Sequence, residues 1–230
     1  MRLVDIRHRD AMSMAVAEIH ERPVVVQLPA VFVLLAAPTT AGAAQLDRAK
    51  TRLPGKHYGT AIGSLDRFLA QADPAHLPPG FSQAEDFMRM TGTFSRVRFR
   101  GLDFDSPTIR GGTHQGVLLN GLHRSLFERI EASFLTGAPD PIWGGHNYCA
   151  PLCTSCNISG HPDGSIVELE KALAFARDRG VRLVITGPQR SADLGSYPIF
   201  GYERDRVRVH RVGPGLEAFK QKIPPALRAW

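Results

Sequence analysis

Three cations stand within one short stretch, "KTRLPGK": Lys50, Arg52 and Lys56, with Pro54 and Gly55 between them. The Pro-Gly pair bends the chain, so the three charges can converge, and convergent cations bind phosphate. Arginine brings a planar fork and lysine a compact point charge, and each charge-assisted hydrogen bond contributes roughly 1.5–3 kcal/mol. Further along, "TSCNISG" puts Ser155 and Asn157 two residues apart. In an extended chain that spacing places a hydroxyl and an amide on one face, where both can address the same ligand. Taken singly, the first stretch reads equally well as a solvated basic turn and the second as a polar strand end.

The second stretch overlaps another pattern. "HNYCAPLCTSCNISG" (146–160) holds all three cysteines, Cys149, Cys153 and Cys156, in a C-x3-C-x2-C array. Three thiolates so closely spaced could reach one four-iron cluster, and His146 could join them around zinc. Against a cluster, only 74 residues follow Cys156, and Ser155 occupies the place where such loops carry an aromatic residue. The plainer reading is that the cysteines pack as small hydrophobes where a strand ends beneath a loop. The odd cysteine count and the lack of a signal-peptide pattern argue against disulfides and for a reducing cytoplasm.

Composition bounds the partners. Lys and Arg number 28 against 22 Asp and Glu, giving a net charge of +6 and favouring an anionic partner: a nucleotide, RNA or an acidic surface. Arginines gather in "RVRFR" (96–100) and "YERDRVRVHRVG" (202–213), but their alternation with Val and Phe is also that of a strand with one wet face. Aromatic residues make up 8% of the chain and no R-G-F stacking motif occurs, which argues against sequence-specific readout of single strands. The apolar run 24–37 is too short for a membrane span and contains Gln27 and Pro29, so no membrane partner is expected. P-loop, nucleophile-elbow and H-E-x-x-H motifs are absent, and His114, His123 and His146 read as loop and cap residues.

The elements that must position these residues follow from periodicity and caps. Asp10 is expected to cap a helix to about Glu21, and the run 24–37 to form a buried strand. Thr39 or Thr40 caps a short helix leading into the basic turn, and Ser64 caps another after the strand "GTAIG". Beyond the proline-rich loop 72–80 come a helix near 82–90, a strand near 93–99, an irregular excursion and a strand near 116–120. Leu126, Ile130 and Phe134 then repeat every four residues on a helical face. Gly160 and Pro162 turn the chain after the cysteine stretch, and Ser165 is expected to cap a helix ended by Gly180. The strands "VRLVIT" and "VRVHRV" and the helix "GLEAFKQK" complete an α/β domain with a mixed sheet, one domain over 1–230.

Together the two polar stretches resemble the YrdC/Sua5 family, the threonylcarbamoyl-adenylate synthases of tRNA modification. Members carry K-x-R with a lysine four residues on, matched by Lys50, Arg52 and Lys56, and later T-S-A-N-x-S-G, matched by "TSCNISG" with Cys156 in the alanine place. Weaker similarities extend over about 10–213, with 214–230 as a C-terminal extension. The resemblance implies a twisted mixed sheet with helices around a positively lined cavity. It also implies a reaction in which an amino acid, bicarbonate and ATP give an N-carbamoyl aminoacyl adenylate and pyrophosphate, normally with Mg²⁺. It assigns Lys50 and Arg52 to catalysis and, with Ser155 and Asn157, to the nucleotide, with Lys56 and Arg211 as lesser phosphate ligands. The family's P-T-(D/E)-T-x-Y-G-L loop is "QLPAVFVLLA" here, its W-P-G-P is "MTGT", and its V-R-x-P arginine falls at Asn120. The sequence therefore allows a divergent synthase acting on threonine, a relative activating another carbamate or acyl group, or a nucleotide- or RNA-binding protein without catalysis.

Overall fold

Proline lacks the N–H that a central strand needs, so Pro29 breaks the long apolar run. The single strand expected over 24–37 is instead a hairpin: after β1 (Arg2–Asp5) and a helix, β2 (Val24–Gln27) turns back as β3 (Phe32–Ala36). Val24 pairs with Leu35 and Gln27 with Phe32, and the Leu28 N–H donates to the Val31 carbonyl at 2.9 Å to close the turn. The computed structural model describes residues 1–101, 103–137, 139–160, 164–188 and 192–230, so the turn expected at Pro162 lies outside the described residues.

In chain order the remaining elements are α1 (Ala11–Ile19), α2 (Thr40–Lys50), β4 (Gly59–Ala61), α3 (Leu65–Gln71), α4 (Ala84–Met88), β5 (Thr93–Arg98) and β6 (Thr113–Leu118). They continue with α5 (Gly121–Ser133), β7 (Leu152–Ser155), α6 (Leu169–Asp178), β8 (Leu183–Thr186), β9 (Ile199–Glu203), β10 (Arg206–Arg211) and α7 (Leu216–Gln221). The strands form one mixed sheet in the order β1-β8-β2-β3-β7-β4-β6-β5-β9-β10. β1 and β9 were not expected from sequence. β1 is a short, half-exposed edge strand without alternation, and β9 is buried between β5 and β10 with Gly201 at its centre.

Thr39 caps α2 by accepting from the Gly42 N–H at 3.0 Å, and Ser64 caps α3 by accepting from Arg67 at 3.3 Å. Two other expected caps are corrected. The Asp10 side chain makes no cap bond, and α6 starts beyond Ser165. The chain around Ser165 is held extended, because Ile166 donates to the Cys156 carbonyl and accepts from Phe32, so Ser165 cannot enter the helix and pairs with Ser196 instead.

Each sheet face buries its own apolar layer. Phe32, Leu34 and Ala36 of β3 face α2, α3, α4 and α6, whose Leu46, Phe68, Phe87 and Phe175 complete that core. Val33 and Leu35 face the other way, with Ala15 and Ile19 of α1 and Leu126, Phe127 and Ile130 of α5. Two of the three cysteines belong to these layers. Cys153 and Cys156 lie in opposite ones, and Cys149 is buried with its thiol directed at the Glu131 carbonyl. Among the described residues no group of three His, Cys, Asp or Glu side chains is placed to hold a metal ion. No helix among the described residues is long and apolar enough to cross a membrane.

His114 and His123 are not loop residues. His114 lies within β6, fully buried, with Nδ1 against the Thr108 carbonyl at 2.8 Å and Nε2 against the Thr60 hydroxyl at 2.9 Å. A carbonyl only accepts, so Nδ1 carries the proton and Nε2 accepts from Thr60. His123 sits in the first turn of α5, facing the Gln27 carbonyl at 2.9 Å. His146 does occupy a loop, bonded to Gln71 and the Arg100 carbonyl.

Candidate functional site

Lys50 ends α2, and Thr51 follows in the left-handed region at φ 48°, which swings the basic turn away from the helix axis. The Lys50 side chain is 2% exposed. Its ammonium donates to the Ser155 carbonyl, to the Asn157 carbonyl at 2.9 Å and to Asn157 Oδ1 at 2.6 Å. All three of its protons are thus engaged by the end of β7. Burial brings its pKa down to about 8, so the ammonium persists at neutral pH. Ser155 Oγ also donates to Asn157 Oδ1, at 3.1 Å. Oδ1 accepts twice, and among the described residues neither N–H of the Asn157 amide has a partner. Gly160, at φ 84°, completes the seam: a side chain there would press on Leu53 of the basic turn at 2.9 Å.

Arg52 lies flat over the Tyr58 ring at 4.1 Å and donates to the His57 carbonyl at 2.7 Å and to Thr154 Oγ1 at 3.4 Å. Its Nε is buried without a partner among the described residues, and burial lowers its pKa. Arg211, at the end of β10, donates twice to the Tyr197 carbonyl at 2.9 and 2.6 Å and stacks over Phe94 at 5.3 Å. Burial brings it down to about 10. Lys56 is exposed on the turn.

These groups border one cavity of about 310 Å³. Lys50, Arg52, Lys56, Ser155, Asn157 and Arg211 all line it, so two segments distant in sequence meet at one place. The sheet makes the floor. Cys153 of β7 pairs with Gly59 of β4, and Arg96 of β5 pairs with Gln115 of β6. Gly59 is bare by necessity, since a Cβ there would lie 2.7 Å from the Phe94 ring and 3.0 Å from the Gln115 carbonyl. Burial pushes the Cys153 thiol up to about 12, which makes it an inert part of the floor.

Sequence reasoning missed most of the lining. Arg96 and Arg110 bring the cations to six, and no carboxylate lines the cavity among the described residues. The alternation in "RVRFR" shows a half-wet strand but not what its wet face borders. The remaining wall is apolar: Leu28 and Val31 of the β2–β3 turn, Val33, Phe94 and Tyr197. Tyr197 Oη already accepts from the Ala30 N–H at 3.3 Å. The arrangement can neutralise a polyanion on one side and enclose an apolar group on the other.

No protein-family model matches the chain, and no curated protein matches it significantly in sequence. Solved structures do match. Sua5 of P. abyssi, crystallised with L-threonine, superposes with a TM-score of 0.67 at 17% identity, covering 100% of this chain and 63% of its own. E. coli YciO superposes with a TM-score of 0.60 at 12% identity over 92% of this chain and 93% of its own. The chain has the YrdC/Sua5 fold. A third structure, full-length HypF in a phosphate- and nucleotide-bound form, matches 90% of this chain and 29% of its own, with a TM-score of 0.62 and 17% identity. The chain therefore spans a little under two thirds of the Sua5 chain. The match also includes α7 and the C-terminal residues beyond it, where Ile223 and Leu227 are buried in the same core as the sheet.

Proposed function

We propose that the cavity binds ATP with its phosphates toward Lys50, Arg52, Lys56, Ser155 and Asn157, and joins AMP to an N-carboxy amino acid formed from bicarbonate. In this reaction a carbamate oxygen bonds to the α-phosphorus, the bond from that phosphorus to the bridging oxygen breaks, and pyrophosphate leaves with the electron pair. No side chain acts as nucleophile. The protein contributes positioning and positive charge where negative charge develops. Arg52 and the Asn157 amide are placed to donate to phosphate oxygens, Lys50 holds Ser155 and Asn157 in position while adding its charge, and Arg211 closes the cationic wall. The observation that carries the reading is the convergence of Lys50, Arg52, Lys56 and Arg211, with no carboxylate among the described lining, on a cavity whose far wall is apolar. The nucleotide-bound form of HypF and the threonine-bound form of Sua5 support it as neighbours in fold.

Mg²⁺ is usually held by one or two carboxylates together with substrate phosphates. The described lining offers no carboxylate and does not fit a protein-held ion, so no step is assigned to one. In this reading Mg²⁺ arrives as part of the nucleotide.

The apolar wall bears on the second substrate. A threonine hydroxyl beside Leu28, Val31 and Val33 would leave a hydrogen bond unmade, at about 1–3 kcal/mol. Amino acids with apolar side chains are therefore expected to outpace threonine. Incubation with ATP, bicarbonate and a panel of amino acids, reading pyrophosphate, tests both points. Release that depends on bicarbonate and is fastest with an apolar amino acid supports the proposal, and no release with any member of the panel refutes it.

A further inference from the structure

A second group of cations stands across the floor from Lys50. Arg96 points to the same face of β5 as Phe94, and both its Nε and its NH2 reach Gln115 Oε1, at 3.2 and 2.5 Å. That double contact fixes the guanidinium plane and leaves NH1 without a partner among the described residues. Arg110, in the turn before β6, is exposed and forms no ion pair or side-chain hydrogen bond among the described residues. Arg96 and Arg110 line the same cavity, and the pKa of Arg96 is lowered first by burial and then by the charge of Arg110.

Nearby acids are engaged elsewhere. Glu203 pairs with Arg206 and Arg208 at 3.0 and 3.2 Å, Asp103 pairs with Arg98 at 2.5 Å, and Asp105 accepts from the Gly111 N–H at 2.6 Å. Arg96 and Arg110 also border an adjoining cavity of about 550 Å³ over β9 and β10, so they mark the junction of the two spaces. Three strand spacings separate β7 from β5, about 14 Å. Arg96 and the Ser155–Asn157 pair therefore reach the cavity from opposite edges of its floor.

We propose that Arg96 and Arg110, with Gln115 as the orienting residue, form a second oxyanion subsite that takes a carboxylate, apart from the phosphates at Lys50, Arg52 and Lys56. Two cations on one wall, neither in an ion pair among the described residues, favour an anion that enters beside them. The assignment of the occupant rests on the adenylation reading: the departing pyrophosphate is the β- and γ-phosphates already seated at Lys50, Arg52 and Lys56, and the anion left for this subsite is the carboxylate of the amino acid that the reaction leaves untouched.

Calorimetric titration separates these cases, using α,β-methylene-ATP, inorganic pyrophosphate, N-carbamoyl-leucine and the amide of N-carbamoyl-leucine as probes. Arg110→Gln and Arg96→Gln, each first shown to melt like the parent, are expected to weaken N-carbamoyl-leucine about tenfold or more while changing α,β-methylene-ATP and pyrophosphate by less than about threefold. Arg52→Ala is expected to do the reverse. Loss confined to N-carbamoyl-leucine, with its amide bound weakly by every variant, supports the substrate carboxylate as occupant, and loss confined to pyrophosphate overturns it. The subsite is overturned if both variants bind all probes as the parent does, or if they lose α,β-methylene-ATP as severely as the rest. Oxyanion probes that bind through Arg110 while the parent binds no nucleotide analogue would sink the adenylation reading and leave the subsite standing; a parent that binds no probe sinks both.

Discussion

At the scale of single residues, Lys50 and Arg52 hold the same cavity by different means, and their substitutions separate. Removing the Lys50 ammonium strands three oxygens beneath the surface, each unmade bond costing about 1–3 kcal/mol. Lys50→Ala is expected to lower stability to urea by about 3 kcal/mol and to abolish nucleotide binding. Arg52→Ala is expected to weaken an ATP analogue roughly 10- to 100-fold, from the loss of charge-assisted bonds. Lys56→Ala, on an exposed turn, is expected to shift stability by less than about 0.5 kcal/mol. His114 supplies a pH dependence. Burial holds its folded pKa at about 4 against an ordinary 6.5. The unfolded chain takes up a proton near pH 6.5 that the folded one refuses until about pH 4, so stability is full above 6.5 and falls as the pH is lowered through that window. By pH 5 the loss is about 2 kcal/mol. Urea midpoints at pH 7 and pH 5 measure it, and His114→Gln is expected to remove that part of the slope.

At the scale of elements, the cavity depends on how closely β4, β5 and β6 approach. Gly59→Ala drives a methyl into the Phe94 ring and the Gln115 carbonyl, at an expected cost of about 1–3 kcal/mol, with loss of ligand because both neighbours line the cavity. Thermal melting and titration of the same variant check the two effects. The linear motifs were legible in sequence because one turn and one strand end carry them: Lys50, Arg52 and Lys56 need only Pro54 and Gly55 to gather, and Ser155 and Asn157 need only an extended chain. Arg96, Arg110 and Gln115 were not legible, since strand pairing brings them together and alternation fixes a face without naming its neighbours. The hairpin at Pro29 was missed because a run of buried residues reads alike whether it continues or folds back. His114 read as a loop residue because the strand it occupies begins inside a stretch rich in Gly and Thr.

At the scale of the molecule, the alternation of strands and helices sufficed for an α/β class with a mixed sheet, while the ten-strand order was beyond its reach. That order brings the end of α2 beside the end of β7 and lays β4, β6 and β5 as a floor to one side of them. Helices α1 and α5 pack on the same face as Val33 and Leu35, and the cavity occupies that face beside them. The clamp between Lys50 and Asn157 gives the cavity a kinetic character. Because three bonds already hold the ammonium in place, an arriving polyanion meets a charge fixed before the encounter. Stopped-flow mixing with a fluorescent ATP analogue is expected to give a single exponential whose rate climbs linearly with analogue concentration and drops as salt is added. A rate that levelled off at high concentration would instead reveal a hidden rearrangement between collision and capture.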